Sequence, residues 1–170
     1  MQFIARIIRA AKLESRVYEE IETDKDATSQ ALVVVLLSSL AASIGAFTHA
    51  GLSGLVMGGL VALLAWYVWT FMTYVIGVKL FPVSQTSASH REICRTLGFA
   101  SAPGVLRVFG AIPGLTGIAF LVAAMWMLIA AVMAVRQVFD YTSTVRAAGV
   151  CVPGWLVHVF LVFFLLLLLG

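Results

Sequence analysis

Apolar residues fill four stretches of this chain almost without interruption: Ala31 to Phe47, Gly54 to Val78, Ile112 to Val135 and Trp155 to Leu169. Each approaches the ~20 residues that carry a helix across the hydrocarbon core of a bilayer. Polar or turn-forming residues separate them. Gly45 and the run Gly51-Leu52-Ser53-Gly54 mark a short turn after the first stretch, which predicts a tight antiparallel hairpin. Pro82, with Ser84, Gln85, Thr86, Ser87 and Ser89 and then His90, Arg91 and Glu92, forms a longer polar loop. Pro113-Gly114 precedes the next helix and Pro153-Gly154 the last, where proline suits a first helical turn.

The flanks carry weaker patterns. Over residues 2–21, Phe3, Ile4, Ile7, Ile8, Ala11 and Val17 or Ile21 fall near helical spacing, with Arg6, Arg9, Lys12 and Arg16 between them. This predicts an amphipathic helix lying on a membrane surface, with Arg6, Arg9 and Lys12 at lipid headgroups or a partner. Thr23-Asp24-Lys25-Asp26 places an acid three residues after a threonine, a weaker form of a capping box, so the first membrane helix starts within a turn or two of it. Cys94 to Ile112 is short for a span and contains Ser101, Pro103, Gly104 and Arg107; it is either a kinked span or a re-entrant segment.

Charge decides between those alternatives. If the third segment crosses, Arg6, Arg9, Lys12, Arg16, Lys25, Lys79, Arg91, Arg95, Arg136 and Arg146 all fall on one side, and only Arg107 does not. If it does not cross, Arg136 and Arg146 move to the other side and the segregation required of cytoplasmic loops is lost. The expected fold is therefore an all-α integral membrane protein: an interfacial helix over 1–22, then five spans at about 27–47, 52–78, 94–111, 114–135 and 153–169. The N-terminus lies in the cytoplasm and the C-terminus outside. The basic residues inside Met1 to Leu13 interrupt any secretory signal core, so the N-terminus is expected to be retained.

Composition strengthens this reading. Hydrophobic residues make up 62% of the 170, charged residues 11%, and mean hydropathy is +1.04, more apolar surface than a soluble fold of this length can bury. Cys94 and Cys151 stand alone, without metal-type spacing or a disulfide framework. The net charge of +3 arises from 11 basic residues beside 8 acidic ones, not from a dense basic tract, so nucleic acid is not an expected partner.

Three groups of residues together resemble a known family: Tyr18-Glu19-Glu20-Ile21-Glu22 leading into Asp24-Lys25-Asp26-Ala27-Thr28-Ser29-Gln30-Ala31, then Arg95-Thr96-Leu97-Gly98-Phe99-Ala100-Ser101-Ala102-Pro103-Gly104, then Trp126 to Asp140 with Ala134-Val135-Arg136-Gln137. Over roughly residues 8–169 the chain looks like the prokaryotic branch of the Yip domain family, whose eukaryotic members are membrane proteins that interact with Rab-type GTPases. The resemblance implies five spans with a cytoplasmic N-terminus in a prokaryotic inner membrane, and a role in organising membranes or partner proteins. The eukaryotic proteins carry an Asp-Leu-Tyr-Gly-Pro type motif before the first span; here Tyr18-Glu19-Glu20 lacks the Gly-Pro. The resemblance therefore does not by itself extend to GTPase binding.

No motif promises chemistry. His49, His90 and His158 share no ligand spacing, so no metal centre is expected. His158, with Trp155 three residues before it, could ligate a haem or pigment, although a histidine hydrogen-bonded within a bundle is the commoner arrangement, and no cofactor is expected. There is no Gly-x-Ser-x-Gly elbow and no phosphate-binding loop, so the chain is not expected to be an enzyme. Gly54-x-x-x-Gly58 lets helix backbones approach, either for dimerisation or within the chain. Ser38, Ser39 and Ser43 are expected to face the bundle. Glu19, Glu20, Glu22, Asp24 and Asp26, opposite Arg136 and Arg146, make either an ion-paired inner face or a docking surface. Arg107, with no carboxylate available in the spans, is expected to snorkel toward the outer headgroups and meet backbone carbonyls of the Ala111 to Gly117 turn or lipid phosphates, in a lipid or partner contact. The expected function is a non-catalytic membrane scaffold or interaction protein bound to lipids and to a protein partner, possible also as an accessory subunit of a larger complex. The alternative is a small oligomeric transporter or channel, suggested by the broken third segment.

Overall fold

A computed structural model describes residues 2–82 and 88–169, without the side chains of residues 47–55, 166 and 169. Among the described residues all regular structure is helical: α1 (Gln2–Ala11), α2 (Ser15–Thr23), α3 (Ala27–Lys79), α4 (His90–Ala100), a 3-10 segment (Ala102–Ala111), α5 (Thr116–Val138) and α6 (Thr144–Leu169). Four helical stretches are long and apolar enough to cross a membrane, Ala27–Ala46 and Val56–Lys79 of α3, Thr116–Val138, and Thr144–Leu165. These are the helices of a multi-pass membrane protein.

The expected hairpin lies inside α3. Its backbone is helical throughout, yet a Cβ built on Gly58 or Gly59 would lie 3.6 Å from Ser43 Oγ. A straight helix would hold residues 43 and 58 about 22 Å apart, so the chain reverses between them and its two limbs pack side by side. Gly58 thus faces the same chain. The side chains of His49 and Ser53, the surroundings of Gly51 and Gly54, and the loop residues Ser84 to Ser87 lie outside the described residues. On the first limb Leu32, Val33, Leu36, Leu37, Leu40 and Ile44 are exposed while Ala31, Val34, Val35, Ser38, Ser39 and Ser43 are buried. This is the helical alternation of a lipid-facing and a bundle-facing stripe.

The third segment differs from a regular span. α4 opens with a full capping box, in which Ser89 Oγ accepts from the Glu92 N–H while Glu92 reaches back to the Ser89 N–H. It ends at Ser101, and Pro103, which cannot donate to an α-helical ladder, sits in the first turn of the ten-residue 3-10 helix that follows. The whole stretch packs parallel to the first limb of α3. Gly98 meets Ala31, Gly104 meets Ser38, and Gly45 meets the Arg107 carbonyl. The segment from Gly98 to Gly110 therefore covers the height of residues 31–45, about 21 Å of α-helix. The extra rise of a 3-10 helix, ~2.0 Å per residue, lets a short segment do this.

Two boundaries differ from expectation. The N-terminal helix is broken at Lys12 to Glu14, where Leu13 takes a left-handed φ of 63°, so α1 and α2 form a helical hairpin instead of one interfacial rod. The last helix starts at Thr144, nine residues before Pro153, which sits inside it. Residue i−4 from that proline is Gly149, so the carbonyl that the ring displaces belongs to the least crowded residue type. At the start of α3, Asp26 occupies the cap position without a side-chain cap, and Asp24 Oδ1 accepts the Asp26 N–H at 2.9 Å instead.

Candidate functional site

The charged residues gather at one end of the bundle, where α2, the start of α3, the start of α4 and the α5–α6 turn meet. The ends of the helices are tied there by side chains reaching backbone carbonyls. Tyr141 Oη donates to the Phe81 carbonyl at 2.9 Å and Arg146 to the Pro82 carbonyl at 2.9 Å, satisfying acceptors left open past the C-terminus of α3. Tyr141 stacks on Phe139, 5.3 Å between centroids, and carries the Arg146 guanidinium 5.1 Å above its ring. Arg136 donates to the Tyr141 and Thr142 carbonyls and to Thr144 Oγ1. Arg95, 6% exposed, donates to the Glu22 carbonyl in the last turn of α2. Arg136 and Arg146 thus hold backbone, not the acidic cluster that the sequence set opposite them.

That cluster is divided. Arg9 binds Glu20 through two bonds of 2.8 and 2.9 Å and Glu14 at 2.8 Å. Arg6 binds Asp24 at 2.7 Å and Gln30 at 3.2 Å. The Arg6 guanidinium holds the Asp24 carboxyl below the usual range, and Arg9 does the same for Glu20. Arg6 and Arg9, expected at lipid or a partner, spend their donors on the chain itself because α2 folds back beside α1; Lys12 stays exposed.

Six further charged groups face a cavity of about 720 Å³ bounded by Glu22, Thr23, Lys25, Thr28, Ala88, Ser89, Arg91, Glu92, Arg95 and Asp140. Among the described residues Lys25 and Arg91 enter no ion pair. Partial burial, reinforced by the Glu92 and Asp140 carboxylates, pushes the Glu22 carboxyl up to about 7. Asp140 adopts a left-handed φ of 50° where α5 ends, a conformation that turns the chain sharply toward α6. It also borders a second, smaller cavity of about 320 Å³ with Ser15, Gln137 and Thr142. Neither cavity contains a nucleophile held by a base, and no cluster of metal-ligating side chains occurs among the described residues. Sequence reasoning placed Glu22 in the acidic cluster but missed Arg95 and the Ser89–Glu92 box as its neighbours in one site. The Ser-x-x-Glu spacing was visible, whereas the meeting of residues 22, 92 and 140 depends on tertiary packing.

At membrane depth Arg107 makes no hydrogen bond to the Ala111 to Gly117 turn among the described residues. It enters the bundle, donating from Nη2 to Met127 Sδ at 3.2 Å with its guanidinium 5.8 Å from the Phe120 ring centroid. No carboxylate pairs with it among the described residues. His158 lies with its ring tilted against Trp69, 5.7 Å between centroids, and its Nδ1 has no partner among the described residues. His90 is elsewhere, edge-on to Tyr67, Phe71 and Tyr74. The three histidines do not converge.

Comparison with known proteins returned no match to a protein family, to a curated protein or to a solved structure.

Proposed function

We propose that this chain is a non-catalytic membrane scaffold or interaction protein of the Yip domain kind, spanning a prokaryotic inner membrane five times with its charged end in the cytoplasm. The charged cavity carries the functional part of this reading. It joins four elements and, among the described residues, presents Lys25 and Arg91 without ion pairs and shows no catalytic constellation. Such a mixed-charge surface suits the polar rim of a partner protein. Support for the five crossings comes from the parallel run of Gly98 to Gly110 beside the first limb of α3, and from the charge segregation. Support for an interfacial α1 comes from Ile4 and Ile8, 65% and 49% exposed on a helix whose opposite face is packed.

The test is mild solubilisation from the native membrane, comparing what stays bound to wild type and to a Lys25→Glu/Arg91→Glu double variant. A partner lost selectively from the variant is the expected result. Equal recovery, or no partner with either, would remove the docking reading. A second reading, an oligomeric transporter or channel, is favoured by irregular backbone at Ser101 to Ala111 with Arg107 inside the bundle. Solute-dependent currents or uptake in proteoliposomes would select it.

A further inference from the structure

Lys25, Arg91, Arg95, Glu22 and Glu92 line the charged cavity together, and among the described residues none of these five enters an ion pair. The contrast lies nearby on α1, where Arg6 and Arg9 close on their carboxylates at 2.7 and 2.8 Å. Opposite charges that share a cavity and do not meet across it are held apart by the elements that carry them. Arg95 is fixed by its donation to the Glu22 carbonyl; it is buried, and its Nε has no partner among the described residues. Glu92 is fixed by the helix cap, where its carboxylate accepts the Ser89 N–H at 2.8 Å. Asp140 brings a third carboxylate to the wall.

Three bases and three carboxylates around one cavity suit a ligand that carries both signs. A simple anion would face the carboxylates, and a simple cation would face the bases. The chemistry of each half narrows the class. Arginine and lysine are donors that hold phosphate, and Arg95 offers a charged donor that is already desolvated. Carboxylates accept from a primary ammonium, which carries three N–H donors. A quaternary ammonium has none and is recognised by aromatic cages, whereas no aromatic side chain lines this cavity among the described residues. Position supplies the source. Thr28 lies in the first turn of the membrane-crossing stretch Ala27–Ala46, with Lys25 just before it, and Asp140 lies just past the stretch Thr116–Val138. The cavity is thus level with the ends of the spans, where lipid headgroups border the hydrocarbon core.

We propose that this cavity holds a zwitterionic headgroup of the phosphoethanolamine class, its phosphate on Lys25, Arg91 and Arg95 and its primary ammonium among Glu22, Glu92 and Asp140. A membrane lipid and the free headgroup in solution offer the same chemistry. The headgroup shares its cavity with the partner of the docking reading but does not depend on it. Lipid binding is read on the purified chain, with no partner present, so either reading can fail alone.

The purified chain is titrated in neutral detergent with dioleoylphosphatidylethanolamine, dioleoylphosphatidylcholine, dioleoylphosphatidylglycerol or soluble O-phosphoethanolamine, and native mass spectrometry counts what is bound. Wild type is expected to retain one phosphatidylethanolamine about tenfold more tightly than either other lipid. Lys25→Gln/Arg91→Gln should weaken phosphatidylethanolamine and phosphatidylglycerol alike. Glu22→Gln should erase the preference between them while phosphatidylglycerol binds at least as well as to wild type. That split separates a charge role from a loss of fold, which would lower all lipids together. Saturation by O-phosphoethanolamine alone, weakened in both variants, keeps the zwitterion site and moves its source to water. Equal retention of the three lipids with no saturable response to O-phosphoethanolamine overturns the proposal, as does a preference that both variants keep. Wild type alone gives a second readout. Acetylation of Lys25 should slow several-fold relative to the exposed Lys12 when phosphatidylethanolamine or O-phosphoethanolamine is present, and not with phosphatidylcholine. A ratio that neither ligand moves also overturns the site.

Discussion

Glu22 holds its charge against its surroundings. Partial burial and the nearby Glu92 and Asp140 raise its carboxyl to about 7. A carboxyl raised in the folded state contributes most at low pH, and its contribution is lost as pH climbs from about 4.5 toward 7. Glu22→Gln should therefore flatten the decline in Tm across that window and leave the variant more stable than wild type at pH 8. Superimposable Tm profiles in detergent would show that Glu22 is not the group responsible. Glycines give a steric counterpart. A Cβ at Gly45 would stand 2.0 Å from the Arg107 carbonyl oxygen, whereas one at Gly117 meets nothing within 4 Å. Gly45→Ala should cost about 1–3 kcal/mol through overpacking, and Gly117→Ala should be neutral or stabilising by up to about 1 kcal/mol. Equal melting shifts would mean that the 3-10 segment does not press on the first limb.

The third segment is the element on which topology turns. In a background free of Cys94 and Cys151, single cysteines at Ala88 and Thr142 should label from the side of the N-terminus, and one at Pro113 from the opposite side. Labelling of residues 113 and 142 from one side would leave four crossings. The long apolar runs were legible because they exceed any soluble helix in unbroken hydropathy. The break at Ser101 was legible too, from Pro103 and Gly104. What escaped was the continuation of order into polar sequence. Residues 144–152 read as a linker because Arg146 and Pro153 interrupt the pattern, yet Arg146 finds the Pro82 carbonyl and the helix persists. The charged cavity was half legible: its residue types were in view, but the fold-back at Leu13 that pairs Arg9 with Glu20 and Arg6 with Asp24 is a tertiary outcome.

As a whole, the molecule is a lipid-facing bundle with a short helical hairpin clamped to its charged end. Phe3 packs edge-on against Phe99, Tyr18 Oη donates to the Ala10 carbonyl, and Trp126 Nε1 to the Ala11 carbonyl at 2.8 Å. Deleting residues 2–11 should leave α3 to α6 inserted, lower Tm, and change the emission of Trp126 as its partner is lost. Complete failure to insert would make α1 part of the bundle core. The distribution of charge has a practical corollary. Lys12, Lys25, Arg91 and Arg146 are exposed at one end, while neither the residues between Ala46 and Val56 nor those between Ala111 and Thr116 include a lysine or arginine. In the proposed five-span topology, trypsin offered to the opposite surface of a sealed vesicle meets no lysine or arginine in those two turns. Right-side-out and inverted vesicles should therefore yield intact and fragmented chain respectively, and the protein reports its own orientation without a tag.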